Sequence, residues 1–132
     1  MPRVLIVDDD FRQLELRARL LEAGGYQVEL AFSTSEALRR LVPADAVVMD
    51  LRLPNAQGQA DAAEGLKLIR QIREAGSHAP VIVLSGWPDD LDGTPEERLV
   101  ARVMVKPVGM AALHDAIAQC LTGAAAPARN PA

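Results

Sequence analysis

Four apolar runs in this chain stop on residues able to do polar chemistry. Val4 to Val7 ends on Asp8 and Asp9, Ala46 to Met49 on Asp50, Val81 to Leu84 on Ser85, and Val103 to Val105 on Lys106. If these runs are strands of one parallel sheet, their carboxyl ends share an edge and gather three acids, a hydroxyl and an ammonium into one crevice. That set suits a phosphoryl group handled with a divalent ion. A carboxylate attacking phosphorus meets charge repulsion that a bridging hard dication neutralises. Mg2+ prefers oxygen ligands and keeps several waters, so a few carboxylates and a carbonyl serve it better than His or Cys. Lys106 offers a compact positive charge to one phosphate oxygen, and Ser85 can donate a hydrogen bond to another.

Positioning these residues requires a series of βαβ units, and the hydrophobic period switches repeatedly between strand and helix as such a series demands. Five strands are expected, with about five helices. The first strand is Arg3 to Asp8, followed by a helix over Asp10 to Ala23 with Leu14, Ala18 and Leu21 on one stripe. Asp10 is a better cap for that helix than Asp8 or Asp9. Tyr26 to Ala31 alternates apolar and polar residues whereas the first, third and fourth strands are continuously apolar, which places the second strand at a sheet edge.

Ser33 or Thr34 caps a second helix running to about Val42, and Asp45 to Asp50 forms the third strand. A long loop from Leu51 to about Ala62 leads into a third helix ending at Gly76. Pro80 opens the fourth strand. The turn-rich stretch Gly86 to Gly93 leaves room only for a short fourth helix, near Thr94 to Val100 with Pro95 in its first turn. The last strand is Arg102 to Lys106 and the last helix about Gly109 to Leu121. Residues 123–132 lack periodicity and read as a disordered tail or linker stub, leaving 1–122 as the domain.

The chain has 132 residues, 49% of them hydrophobic, enough for one core and too few for a second catalytic domain. The net charge of −4, with no concentrated Lys/Arg run, argues against direct nucleic-acid binding. Cys120 is the only cysteine, so neither an intramolecular disulfide nor a thiolate zinc site can form, and packing in the last helix is its expected role. No apolar stretch is long enough for a signal peptide or membrane span, and a cytoplasmic location is expected. His78 and His114 lie away from the strand ends and are expected at the surface.

Val-Asp-Asp at 7–9, Met-Asp-Leu-Arg-Leu-Pro at 49–54, Leu-Ser-Gly at 84–86 and Lys-Pro at 106–107 resemble the four signature segments of response-regulator receiver domains. The resemblance runs from about Arg3 to Leu121. It implies an α/β fold, a doubly wound five-stranded parallel sheet of order 2-1-3-4-5 with helices on both faces. It implies a signalling domain rather than an enzyme, one that accepts a phosphoryl group from a histidine kinase or histidine phosphotransfer protein and then changes its contacts with a downstream protein. By motif position Asp50 is the phosphoacceptor. Asp8, Asp9, Asp50 and the backbone carbonyl of Arg52 hold Mg2+ (or Mn2+), Ser85 is the switch hydroxyl, and Lys106, set by a cis peptide before Pro107, pairs with the phosphate.

Three departures from the family pattern stand out. Ten residues, Asn55 to Glu64, occupy a connection that is usually shorter, either as an inert bulge or as a recognition element or partial lid. Val103 stands where receivers commonly carry a rotating Tyr or Phe, so coupling through an aromatic flip is not expected. The acidic stretch Pro88 to Gly93 makes the fourth-helix face short or mobile. By the resemblance, the residues two past the phosphoacceptor and two past the switch hydroxyl flank the approach of hydrolytic water, and here Arg52 and Trp87 would crowd it and slow self-dephosphorylation.

Other classes fit less well. A haloacid-dehalogenase-type phosphatase wants a second acid where this chain has Arg52, and a flavodoxin-like carrier would find its cofactor phosphate repelled by Asp8, Asp9 and Asp10. The runner-up is a receiver-like binding module that works without phosphorylation.

Overall fold

The computed structural model describes residues 1–123 and 129–130. Its elements are β1 (Arg3–Val7), α1 (Phe11–Ala23), β2 (Gln27–Ala31), α2 (Thr34–Arg39), β3 (Ala46–Asp50), β4 (Leu53–Pro54), β5 (Ala60–Asp61), α3 (Ala62–Glu74), β6 (Val81–Ser85), β7 (Arg102–Val105), α4 (Met110–Thr122) and β8 (Arg129–Asn130). The main sheet runs β2-β1-β3-β6-β7-β8 with every neighbouring pair parallel. Its first five strands are the expected five in the expected order, and β2 is the edge strand that its alternation required.

Alternation within each central strand divides the core. Leu5 and Val7 of β1 face one cluster with Ala37 of α2 and Leu68, Ile69 and Ile72 of α3. Val4 and Ile6 face the other, with Leu14 and Leu21 of α1 and Leu113, Ala116 and Ile117 of α4. Burial on both faces explains why β1, β3 and β6 are continuously apolar. Among the described residues no helix is long and apolar enough to cross a membrane.

Helix starts follow local chemistry. Asp10 caps α1, accepting from the N–H groups of Arg12 at 3.1 Å and Gln13 at 3.3 Å. Ser33 caps α2 through the Glu36 N–H, while Glu36 accepts from Phe32 N–H, a reciprocal arrangement that satisfies two donors. The helix stops at Arg39, before Leu41 turns into the core and Pro43 blocks continuation.

Two stretches differ from expectation. The fourth helix is not α-helical: two 3-10 turns, Pro88–Asp90 and Pro95–Leu99, take its place. Two prolines in so short a stretch remove amide donors, and the remaining bonds close over three residues, as from Leu91 N–H to Pro88 O at 3.2 Å. Leu91 is fully buried and pins the segment to the sheet. The long loop after β3 is a folded hairpin in which β4 and β5 pair antiparallel. Asn55 organises it, accepting from Gln57 N–H at 2.9 Å and Gln59 N–H at 3.1 Å and donating to Asp61, which in turn caps α3.

The tail expected over 123–132 falls largely outside the described residues. Gly123 closes α4 with φ of 71°, and the backbone of β8 lies parallel to β7.

Arg73 ties three elements together. Its guanidinium donates to the carbonyls of Ser77 at 3.1 Å, Ala79 at 2.7 Å and Leu99 at 2.7 Å, and burial lowers its pKa. Arg73→Ala would strand three partly buried acceptors, so we expect a stability loss of about 2 kcal/mol in urea or thermal unfolding.

Candidate functional site

The sheet topology does what the strand-end pattern requires. Asp50 is the last residue of β3, and Asp8 directly follows β1, its N–H continuing the ladder to Ala31 O at 3.1 Å. Asp8, Asp9 and Asp50 each offer a carboxylate oxygen, and these lie within 4.8 Å of one another. Lys106 Nζ sits 3.3 Å from Asp50 Oδ2. A cleft of about 670 Å³ is lined by Asp9, Asp50, Arg17 and Lys106 together with Leu16 and Met110.

The electrostatics are those of an acid cluster short of positive charge. Burial raises the Asp50 pKa above its usual value, the Lys106 charge lowers it in part, and the Asp8 charge adds to the rise. Desolvation and a hydrogen bond shared with Asp8 likewise raise Asp9, the outermost of the three. Three oxygen donors at this spacing, with no His or Cys among them, fit a hard divalent cation.

Ser85 ends β6 fully buried, in register with Val105 of β7, and its Oγ accepts the Trp87 N–H at 2.9 Å. Lys106 N–H donates to Ser85 O at 2.9 Å, and the Lys106–Pro107 peptide is cis, as the resemblance implied. Val103 is a core residue on β7 packed among Leu91 and Val83, with no side chain long enough to act as a lever.

Arg52 and Trp87 meet. The Arg52 guanidinium lies 3.9 Å from the centroid of the Trp87 ring and pairs with Asp90 at 2.8 Å through Nε and 3.3 Å through Nη2. The hydrogen bond to Asp90 also holds Arg52 firmly in its charged form. The loop after β3 is therefore fastened to the loop after β6, with the outer face of Trp87 in solvent.

Two residues stand differently from the sequence reading. His114 is half-buried rather than a surface residue: its ring packs 5.3 Å from that of Tyr26 and against Gly24, where a Cβ would lie 2.7 Å from Nε2. His78 is exposed, and Cys120 packs against the α1–α4 core cluster. Arg17, which the sequence reading passed over, pairs with Asp8 at 3.0 Å. The available signal was the spacing of Asp10, Gln13 and Arg17, which puts them in one column of α1, since side chains on a helix lean back toward its N-terminus.

The sequence model of the family described as the response regulator receiver domain matches residues 4–118. The chain belongs to that family. This receiver is 39% identical over 85 residues to the response regulator MprA of Mycolicibacterium vanbaalenii, a match covering 63% of the chain and 34% of the relative. It thus spans about a third of the length of the curated relatives it matches. Among solved structures, a response regulator receiver domain protein from Clostridium thermocellum superposes with a TM-score of 0.80 at 26% identity, covering 93% of this chain and 96% of that one. A CheY-like receiver domain from Methylobacillus flagellatus gives 0.77 at 28% identity, covering 91% and 98%. The receiver fold and the two-component family thus agree with the motif reading.

Proposed function

We propose that this receiver takes a phosphoryl group onto Asp50 from the phosphohistidine of a histidine kinase or histidine phosphotransfer protein, with Mg2+ or Mn2+ held by Asp8, Asp9, Asp50 and the Arg52 carbonyl. One observation carries the reading: the Asp50 carboxylate stands at a sheet edge between two further acids and the Lys106 ammonium. When bound, the dication would neutralise the charge repulsion between nucleophile and phosphoryl oxygens. Asp50 Oδ attacks phosphorus, the phosphorus–nitrogen bond of the donor breaks, and its electron pair returns to the imidazole. Lys106 would meet a phosphoryl oxygen once its contact with Asp50 is given up, and Ser85 would donate a hydrogen bond once its hydroxyl turns from the Trp87 amide.

The product is an acyl phosphate carrying about 1.5 to 2 negative charges. That charge favours arrangements that bring Ser85 and the 86–99 segment inward, and the signal is a shift of population rather than turnover. The readers are a kinase on one side and a downstream protein on the other, in the cytoplasm. Incubation with acetyl phosphate and Mg2+ tests this: intact mass should rise by one phosphoryl group, mapped to Asp50 and absent when the metal is chelated. No mass gain under any phosphodonor would leave a binding module that works without phosphorylation.

The lifetime of the acyl phosphate follows from the Arg52–Trp87 contact. In this reading the stacked pair, fastened by Asp90, would crowd the approach of water to Asp50 from the side of the loop after β6. Replacing Arg52 and Trp87 together with alanine should speed phosphate loss severalfold, followed as the decay of labelled protein. An unchanged decay would show that water reaches the site by another route.

A further inference from the structure

Arg17 has no part in the reading above, yet its side chain is nearly buried, 11% exposed, against an acid that is 3% exposed. Its Nη1 donates to Asp8 Oδ2 at 3.0 Å, while the other oxygen, Oδ1, takes the Asp10 N–H at 3.1 Å. Both oxygens of the most buried acid are therefore already engaged by the chain itself. Arg17 also lines the cleft together with Asp9 and Asp50, so its charge faces the cluster.

Lys106 and Arg17 together offset two of the three carboxylate charges. Removing Arg17 would leave a net of two negative charges, the amount a dication cancels. A guanidinium is fixed in its charge and holds carboxylates in a rigid fork, so it cannot step aside by losing a proton. It must be displaced or tolerated.

Resting on the metal-assisted reading, we propose that Arg17 is the resident counter-ion of Asp8 and competes with the divalent cation for it, so that this position sets how readily the site loads. The opposing possibility is that Arg17 orients Asp8 for the metal, as outer partners of metal ligands do. Loss of such a partner typically weakens affinity by about 10- to 100-fold. The two roles predict changes of opposite sign.

The test is calorimetric titration of Mg2+ into the full chain at fixed ionic strength, for wild type, Arg17→Met and Arg17→Lys. A counter-ion role predicts that Arg17→Met binds Mg2+ more tightly by about tenfold, the scale on which groups touching a ligand move metal affinity. Arg17→Lys, which keeps the charge, should stay close to wild type. Without Mg2+ the Met variant should melt lower than wild type, and saturating Mg2+ should recover most of the difference. Equal or weaker Mg2+ binding by Arg17→Met, while wild type still binds, overturns the inference and leaves the metal reading intact. If neither protein binds Mg2+, the metal reading falls and the inference with it. A readout without any variant is the exchange rate of the Arg17 guanidinium protons by NMR. They should lose protection as Mg2+ is added, and protection retained at saturation also overturns the inference.

Discussion

Asp50→Asn should abolish phosphoryl uptake from acetyl phosphate and, at neutral pH without metal, should make the receiver more stable than wild type. The first effect is chemical: an amide is not a nucleophile toward phosphorus under these conditions. The second follows from the site's electrostatics. Burial and Asp8 raise the Asp50 pKa more than Lys106 lowers it. A carboxyl whose pKa is higher in the folded than in the unfolded chain contributes stability that is fully present below its ordinary value of 3.8 and is lost as pH rises through the folded pKa. At pH 7 wild type therefore carries a charged group in a place that disfavours it. Asparagine keeps the shape and sheds the charge.

Urea unfolding at pH 7 should place the Asn midpoint above wild type, with the gap narrowing as pH falls toward 3.8. Mg2+ should reverse the order, since a ligand at 100 times its Kd stabilises its binder by about 2.7 kcal/mol and the variant has lost one of its ligands. An Asn variant that still gains phosphoryl mass, or that is less stable at pH 7, would contradict this account. On the proposed function the strain has a use: the carboxylate would be held ready for a cation and a phosphoryl group that the chain alone does not supply.

What could be read from the sequence was whatever depends on local chemistry and on period. The strand-end residues were legible because a parallel sheet puts every strand's carboxyl end on one edge, so residues at four strand ends far apart in sequence had one possible meeting place. Asp10 as a cap and β2 as an edge followed from rules that involve only neighbours. The hairpin over 53–61 was not legible, because strands as short as Leu53–Pro54 and Ala60–Asp61 have no alternation to detect. It is held by the side chain of Asn55. The 3-10 turns were missed for a related reason: proline and glycine density marks a break from α-helix without specifying the geometry that replaces it. Arg52–Asp90 and His114 on Gly24 are contacts between distant elements, fixed only once the packing is known, whereas Arg17–Asp8 left a trace in the helical spacing of Asp10, Gln13 and Arg17. For Arg52 the partner lies 38 residues away.

Gly65→Ala is the substitution expected to cost most stability near the site, although helix propensity alone favours it. Glycine inside a helix is worse than alanine by about 1 kcal/mol, so a glycine here needs a reason. The reason is contact: a Cβ on Gly65 would lie 2.0 Å from Leu51 O, 2.7 Å from Leu51 C and 2.8 Å from Leu51 Cα. These are backbone atoms of a fully buried residue between Asp50 and Arg52, and no side-chain rotation relieves the overlap. Either α3 backs away from the sheet or the 51–52 loop shifts, moving the carbonyl assigned to the metal. Overpacking of this kind costs about 1–3 kcal/mol after relaxation, and a clash with backbone belongs at the upper end. We therefore expect a lower melting temperature together with weaker Mg2+ binding and slower phosphorylation. The coupling is the informative part, since destabilisation elsewhere, as in Arg73→Ala, should lower the melting temperature and leave Mg2+ affinity alone. Equal loss of Mg2+ affinity in both variants would mean that the 51–52 loop responds to global stability rather than to the close approach of α3.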